Sequence, residues 1–230
     1  MGNAMITNCR INPEPLAMIK ECMNTVGMDH VAPNSEWPWN VISKRAVAYS
    51  CGKIAREGEK VEHNHDPGEL ELCKTLAEEA AKVMAGTEIG MGSEAALGTG
   101  TLLPFFVVAN FGKKPPERIS ENIIREAFGG TIYPPTKIWI EPLLEAGAWW
   151  SQVLEYYRCY EGEEKESYLR PWRNMMKWFR SRKEFMSAGF VMIGEDPLGG
   201  ENGGCVFPRL ALGFTHAGSL AGIASYVVHT

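Results

Sequence analysis

Two histidines stand two positions apart in the stretch 62–66, which reads EHNHD. In an extended segment, residues two apart point to the same side of the backbone. His63 and His65 are therefore predicted to bind one divalent metal ion, with Asp66, or alternatively Glu62, as a nearby ligand. Three protein ligands leave one position open for water, as in catalytic metal sites, and Glu62 is then the predicted base. The alternative is a solvated turn without metal, in which Asp66 only caps the following helix.

A cysteine and a histidine in the glycine-rich stretch 194–216 form a second candidate. Cys205 and His216 are predicted as a nucleophile and its base, a pairing that hydrolases and transferases use. Either residue is also a candidate distant ligand for the metal at the His63/His65 turn. Glu94 is the second candidate for the base.

The run from Gly90 to Thr101 contains four glycines and three hydroxyl side chains. Glycine lets backbone amides approach an anion closely, so we predict a cradle for a phosphate or cofactor. Its predicted binding residues are Gly90, Gly92, Ser93, Gly98 and Gly100. The run is neither a P-loop nor a dinucleotide fingerprint, because the lysine and the glycine spacing are missing. The alternative is a close-packed turn or bulge.

Six basic residues lie within fourteen positions and are interleaved with Trp172, Trp178 and Phe179. They are Arg170, Arg173, Lys177, Arg180, Arg182 and Lys183. Such a surface can hold an acidic partner or a phosphate. The preceding acidic stretch 161–166 offers another explanation, which is charge neutralisation within the protein or between subunits. A nucleic-acid partner is not expected, because the net charge of the chain is −5.

Paired aromatic residues, among them Trp149 and Trp150, fall on a predicted helix over 141–160. Aromatic side chains are enriched in protein interfaces. We therefore expect a homo-oligomer that uses this Trp/Tyr helix together with the basic helix, although core packing explains the same pattern.

The six cysteines are scattered and form no Cys-x-x-Cys pair, which argues against a zinc ribbon or an iron–sulfur cluster. We expect reduced, mostly buried thiols and a cytoplasmic location. No apolar run approaches the length of a transmembrane helix, and the first residues lack the pattern of a secretory signal, so no membrane contact is expected.

Helical spacing and caps predict about six helices. The first follows Asn12 and ends at Gly27, the second spans 40–56, and the third begins with the Asp66 cap and ends at Gly86. A short helix follows Pro116, and longer helices span 141–160 and begin at Pro171. Strands are predicted at 101–109, 131–140 and 190–193, with one or two more in 205–229.

The predicted fold is therefore α+β, or an irregular α/β fold, with a mixed sheet of four to six strands and one domain over 1–230. The predicted function is that of a small-molecule enzyme of unknown reaction, with a divalent metal as candidate cofactor. Its site would lie where the His63/His65 turn, the Gly90–Gly100 loop and the 194–216 loop converge. The alternative is a non-enzymatic oligomeric binding protein that uses the Trp/Tyr helix and the basic helix.

Overall fold

The structure is a computed structural model that describes residues 6–25, 36–37, 41–89, 100–110, 114–145, 150, 153–154, 157–194 and 206–228. Its elements, in chain order, are β1 (Ile6–Asn8), β2 (Ile11–Asn12), α1 (Glu14–Thr25), β3 (Ala46–Tyr49), β4 (Lys53–Arg56), β5 (Glu62–Asn64), α2 (Pro67–Val83), β6 (Glu88–Ile89), β7 (Gly100–Thr101), β8 (Leu103–Val107), α3 (Glu121–Ala127), β9 (Ile138–Pro142), a 3-10 turn (Tyr157–Cys159), α4 (Gly162–Ser181), β10 (Phe185–Ile193), β11 (Val206–Thr215) and β12 (Leu220–Val228).

A five-stranded sheet in the order β8-β12-β11-β10-β9 forms the centre of the molecule. Every pairing in it is antiparallel. Strand β11 is buried along its whole length, so both faces of the sheet are covered. Sheets of this kind are held by contacts between residues far apart in the sequence.

The two faces carry different partners. Phe190 stacks on Trp150 at 4.8 Å between ring centroids, and Trp150 meets Trp172 of α4 edge-on at 5.5 Å. On the opposite face, Phe105 stacks on Phe128, which directly follows α3, at 5.8 Å. Helix α2 packs on β8 and β12 and lies beside α4. An ion pair of 2.7 Å joins Glu79 of α2 to Arg182, the residue directly after α4.

A smaller three-stranded sheet, β2-β3-β4, lies where the sequence analysis predicted a helix over 40–56. That prediction is wrong. The spacing of Val47, Cys51 and Ile54 imitates a helical stripe, but Gly52 adopts a φ of +73° and turns the chain between β3 and β4. Glycine accepts this left-handed conformation without steric cost, which favours the hairpin.

The predicted helix over 141–160 is wrong as well. The chain continues β9 through Pro142, bends over 143–145, and is helical only in short turns among its described residues. Trp150 is 1 % exposed and Val153 is fully buried, so their helical spacing reflects burial rather than a regular helix.

The basic helix begins earlier than predicted. Helix α4 starts at Gly162, directly after Glu161, and passes through Pro171. Trp172, Met175 and Phe179 are buried, while Arg173 stands exposed on the outer side of the helix.

The described residues contain four α-helices instead of about six, and every strand pairing among them is antiparallel, so the predicted mixed sheet is also wrong. The α+β arrangement itself agrees with the prediction. None of the helices in the described part of the chain has the length and apolar character needed to cross a bilayer.

Two of the six predicted thiols are joined. Cys9, between β1 and β2, forms a disulfide with Cys51 in the turn of the hairpin, with a Cα–Cα distance of 5.4 Å. The prediction of uniformly reduced cysteines is therefore wrong for this pair. The disulfide fastens the N-terminal segment to the small sheet.

Candidate functional site

The His63/His65 turn leads from strand β5 into helix α2. Thr7 of β1 pairs with His63 of β5, and His65 is buried, with 7 % of its surface exposed. The Asp66 carboxylate accepts a hydrogen bond of 2.7 Å from the Gly68 backbone N–H and therefore caps the helix. The side chains of Glu62 and His63 lie outside the described residues.

Among the residues that the structure describes, no group of three or more His, Cys, Asp and Glu side chains is placed to hold a metal ion. The cap bond engages one of the predicted ligands, Asp66, but does not test the other two. The metal site therefore stays a prediction.

Cys205 lies outside the described residues, next to Val206 in the chain. His216 follows the opposite end of β11, where its ring lies 3.1 Å from the Lys183 carbonyl oxygen. The ten-residue strand between Val206 and Thr215 spans roughly 30 Å. The structure thus places His216 and the residue after Cys205 at opposite ends of the sheet.

The glycine-rich cradle is described only at its last residue. Gly90, Gly92, Ser93 and Gly98 lie outside the described residues, and Gly100 begins β7. The pairing of Leu103 with Ala224 sets β7 beside the C-terminal half of β12.

The described anchors of the three predicted loops do not lie together. A hydrogen bond of 2.6 Å from the Thr215 hydroxyl to Glu69 ties the first turn of α2, and with it the His65 turn, to the β11–β12 turn. Val107 pairs with Leu220 next to this turn, and Gly100 lies seven residues before Val107, which is roughly 23 Å in an extended strand. Gly194 and Val206 also lie at the end of the central sheet that is remote from the β11–β12 turn.

A buried polar network occupies the β11–β12 end. Thr215 donates to Glu69 and accepts a bond of 3.0 Å from the Ser219 backbone N–H, while the Ser219 hydroxyl accepts from the Ala109 N–H at 3.0 Å. The Cys73 thiol lies 3.7 Å from the Glu69 carboxylate. Burial, followed by the Glu69 charge, raises the pKa of Cys73 far above its ordinary value. A thiol held protonated in this way is a poor nucleophile, so the network is a structural clamp rather than a reactive site.

Beside this network, on the Phe105 face of the sheet, lies a cavity of about 160 Å³. Its apolar wall comes from the ends of three sheet strands, from α3 and from the segment that follows β8. The main contributors are Val107, Phe214, Leu220, Ile123, Ala127, Pro115 and Pro116.

The polar groups of this cavity are few. Lys53, Lys114, Glu126 and Asn110 line it together with the apolar wall. Lys114 and Glu126 are exposed, and Lys53 and Asn110 are half-buried. The lining described here thus carries two cations against one anion. A mostly apolar concavity with a few polar groups is the usual form of a small-molecule site.

No local pattern in the sequence indicates this cavity. Lys53 falls within the predicted helix over 40–56, whereas it opens strand β4. Lys114 and Glu126 show no spacing that relates them to Phe214, because they meet only through strand pairing across about a hundred residues. No family model matches the chain, and the search among curated proteins found no relative.

Proposed function

We propose that the protein binds a small organic molecule in the cavity between α3, β8 and the β11–β12 turn. The observation that carries this proposal is the combination of an apolar wall with two lysines and one glutamate at a cavity of about 160 Å³. An apolar protein cavity of about 150 Å³ is large enough to take up benzene. The proposed ligand therefore has one ring or a short branched chain.

The charged side chains at the cavity rim indicate which polar group the ligand carries. Lys53 and Lys114 favour a carboxylate at the rim, and the wall formed by Phe214 and Leu220 favours an apolar body. A monocyclic aromatic acid combines both properties. We use phenylacetate as the probe and phenylacetamide as its neutral counterpart.

Isothermal titration of both probes tests the proposal. Phenylacetate is expected to bind more tightly than phenylacetamide. Replacing a rim lysine, as in Lys53→Gln or Lys114→Gln, is expected to weaken phenylacetate about two- to fivefold and to leave phenylacetamide unchanged, as for other exposed ion pairs. Ala127→Phe, which fills the cavity, should abolish the binding of both.

The matched control is Lys177→Gln, because Lys177 is exposed on α4, far from the cavity lining. Circular dichroism establishes that each variant is folded. The proposal fails if Ala127→Phe binds both probes as well as the wild type does. It also fails if Lys177→Gln weakens phenylacetate as much as the rim substitutions do.

The metal-dependent reaction at the His63/His65 turn stays a prediction. Its support is the burial of His65 beside the start of α2. Metal analysis of untagged protein, compared with the His63→Ala/His65→Ala variant, tests it independently of the cavity.

A homo-oligomer also remains part of the proposal, but Trp150 does not support the predicted interface. Trp150 is buried between Phe190 and Trp172, so it is unable to contact a second subunit without unfolding. Arg173 of the basic helix forms two bonds with Glu166, at 2.6 and 3.1 Å, as the intramolecular alternative predicts.

A cytoplasmic location is a proposal that the Cys9–Cys51 disulfide weighs against. Stable disulfides are typical of oxidising compartments. The redox state of these two cysteines in cells therefore bears directly on the location.

A further inference from the structure

Strand β9 forms one edge of the central sheet. In the part of the chain that the structure describes, β10 is its only strand neighbour. An edge strand presents a row of backbone groups that can pair with another chain. Trp139, the second residue of β9, is 50 % exposed, which is unusual for so large an apolar side chain.

The backbone groups that face outward can be identified from the pairing with β10. The Lys137 carbonyl accepts from the Gly194 N–H at 2.9 Å, and the Leu143 N–H donates to Ala188 at 2.8 Å. Because bonded and non-bonded positions alternate in an antiparallel pair, the groups of Ile138 and Ile140 point away from β10. The next outward residue, Pro142, has no N–H to donate.

We propose that two copies of this chain pair through their β9 strands, antiparallel and around a two-fold axis at Trp139. In this register Ile138 of each copy lies opposite Ile140 of the other, which allows four backbone hydrogen bonds between subunits. The two Trp139 side chains face each other at the axis in a non-bonded pair, where cross-strand side chains lie closest.

The charges of Glu141 in β9 and of Lys137, which directly precedes β9, select this register. Lys137, Trp139 and Glu141 share one face of the strand, since alternate residues point the same way. Pairing around Trp139 places Lys137 of each copy opposite Glu141 of the other, which gives two opposite-charge pairs. A shift by one outward position toward Pro142 would set Trp139 opposite Glu141 and bring Pro142 into a bonding position without its N–H.

The dimer creates one continuous ten-stranded sheet from two five-stranded sheets. It is an isologous contact, in which the same patch is used on both subunits and closes on itself. The cavity of the proposed function lies at the opposite edge of the sheet, beside β8, so the two proposals stand independently.

Charge reversal combined with sedimentation equilibrium tests the dimer. Wild-type protein is expected to dimerise. Lys137→Glu alone, or Glu141→Lys alone, creates two like-charge pairs and should raise the dimer dissociation constant by at least about tenfold. The double variant Lys137→Glu/Glu141→Lys restores opposite charges across the axis and should restore the dimer.

Lys177→Glu is the matched control, because it reverses an exposed lysine on α4 and should leave the dimer unchanged. The proposal is overturned if the wild type stays monomeric at about 1 mM, where even a weak association of about −4 kcal/mol is visible. It is equally overturned if a dimer forms but ignores the single reversals, or if the double variant fails to recover it while remaining folded by circular dichroism.

Discussion

At the scale of single residues, two nucleophilic residue types have structural roles. Cys73 and Ser219 are nucleophilic residue types, yet both are fully buried and belong to the network around Glu69 and Thr215. Because burial of Cys73 raises its pKa, the thiol stays protonated at neutral pH. Reactivity of a cysteine depends on its thiolate and on access, and Cys73 lacks both.

Alkylation of the native protein tests whether Cys73 is protected by its burial. Iodoacetamide at pH 8 is expected to modify Cys159, which is exposed, and to leave Cys73 unmodified until the protein is unfolded. Peptide mass spectrometry after timed quenching measures both sites in one sample. Modification of Cys73 at a rate comparable to that of Cys159 would contradict the buried network.

At the scale of elements, local signals predicted some segments well. The Asp66 cap, Pro67 at the first helical position and the apolar stripe over Cys73 and Leu76 together identified α2. These signals come from residues close together in the sequence, so they indicate a helix whatever the rest of the fold is. The strand β8 was likewise visible as a short apolar run.

Other segments could not be predicted because their spacing fits two structures. Val47, Cys51 and Ile54 are buried at helical spacing, but they belong to a hairpin and its turn that pack against the rest of the molecule. Trp150 is buried between Phe190 of the central sheet and Trp172 of α4, and Val153 is fully buried, although neither belongs to a regular helix over 141–160. Burial from distant residues therefore produced a false helical period.

A substitution of Asp66 distinguishes its observed role as the cap of α2 from its predicted role as a metal ligand. Asp66→Ala removes the bond to the Gly68 N–H and is expected to lower the free energy of unfolding by about 1 kcal/mol. If Asp66 acts only as a cap, this loss in urea unfolding is the same with and without a chelator. Glu78→Ala, an exposed position on the same helix, is the control and should change stability little. A loss that appears only in the absence of chelator would instead support the metal site.

At the scale of the whole molecule, the sequence was least informative. The cavity brings together Lys53, Lys114, Glu126 and Phe214, which lie far apart in the chain. Their meeting depends on the pairing of β8 with β12 and of β12 with β11, and no local pattern encodes this order of strands. Glycine-rich loops and histidine pairs attract attention in a sequence, whereas a cavity walled by ordinary apolar residues does not.

The Cys9–Cys51 disulfide affects the stability of the whole molecule, since it joins two cysteines 42 residues apart in the sequence. Cys9→Ser/Cys51→Ser is expected to lower the free energy of unfolding by about 2–4 kcal/mol in urea, while Cys159→Ser should have little effect. Equal stability of the wild type and the double variant without reductant, together with free thiols at both positions, would contradict the bond and favour a reducing location.

The central claim is that a small acid binds in the cavity beside the β11–β12 turn. Its most direct test is a methyl-detected NMR titration with phenylacetate. The claim predicts saturable shifts of Val107, Ile123 and Leu220, which line the cavity, while Leu169 and Met175 of α4, which packs on the opposite face of the sheet, stay unchanged. Saturable shifts confined to methyl groups outside the cavity, or no shifts at millimolar probe, would contradict it.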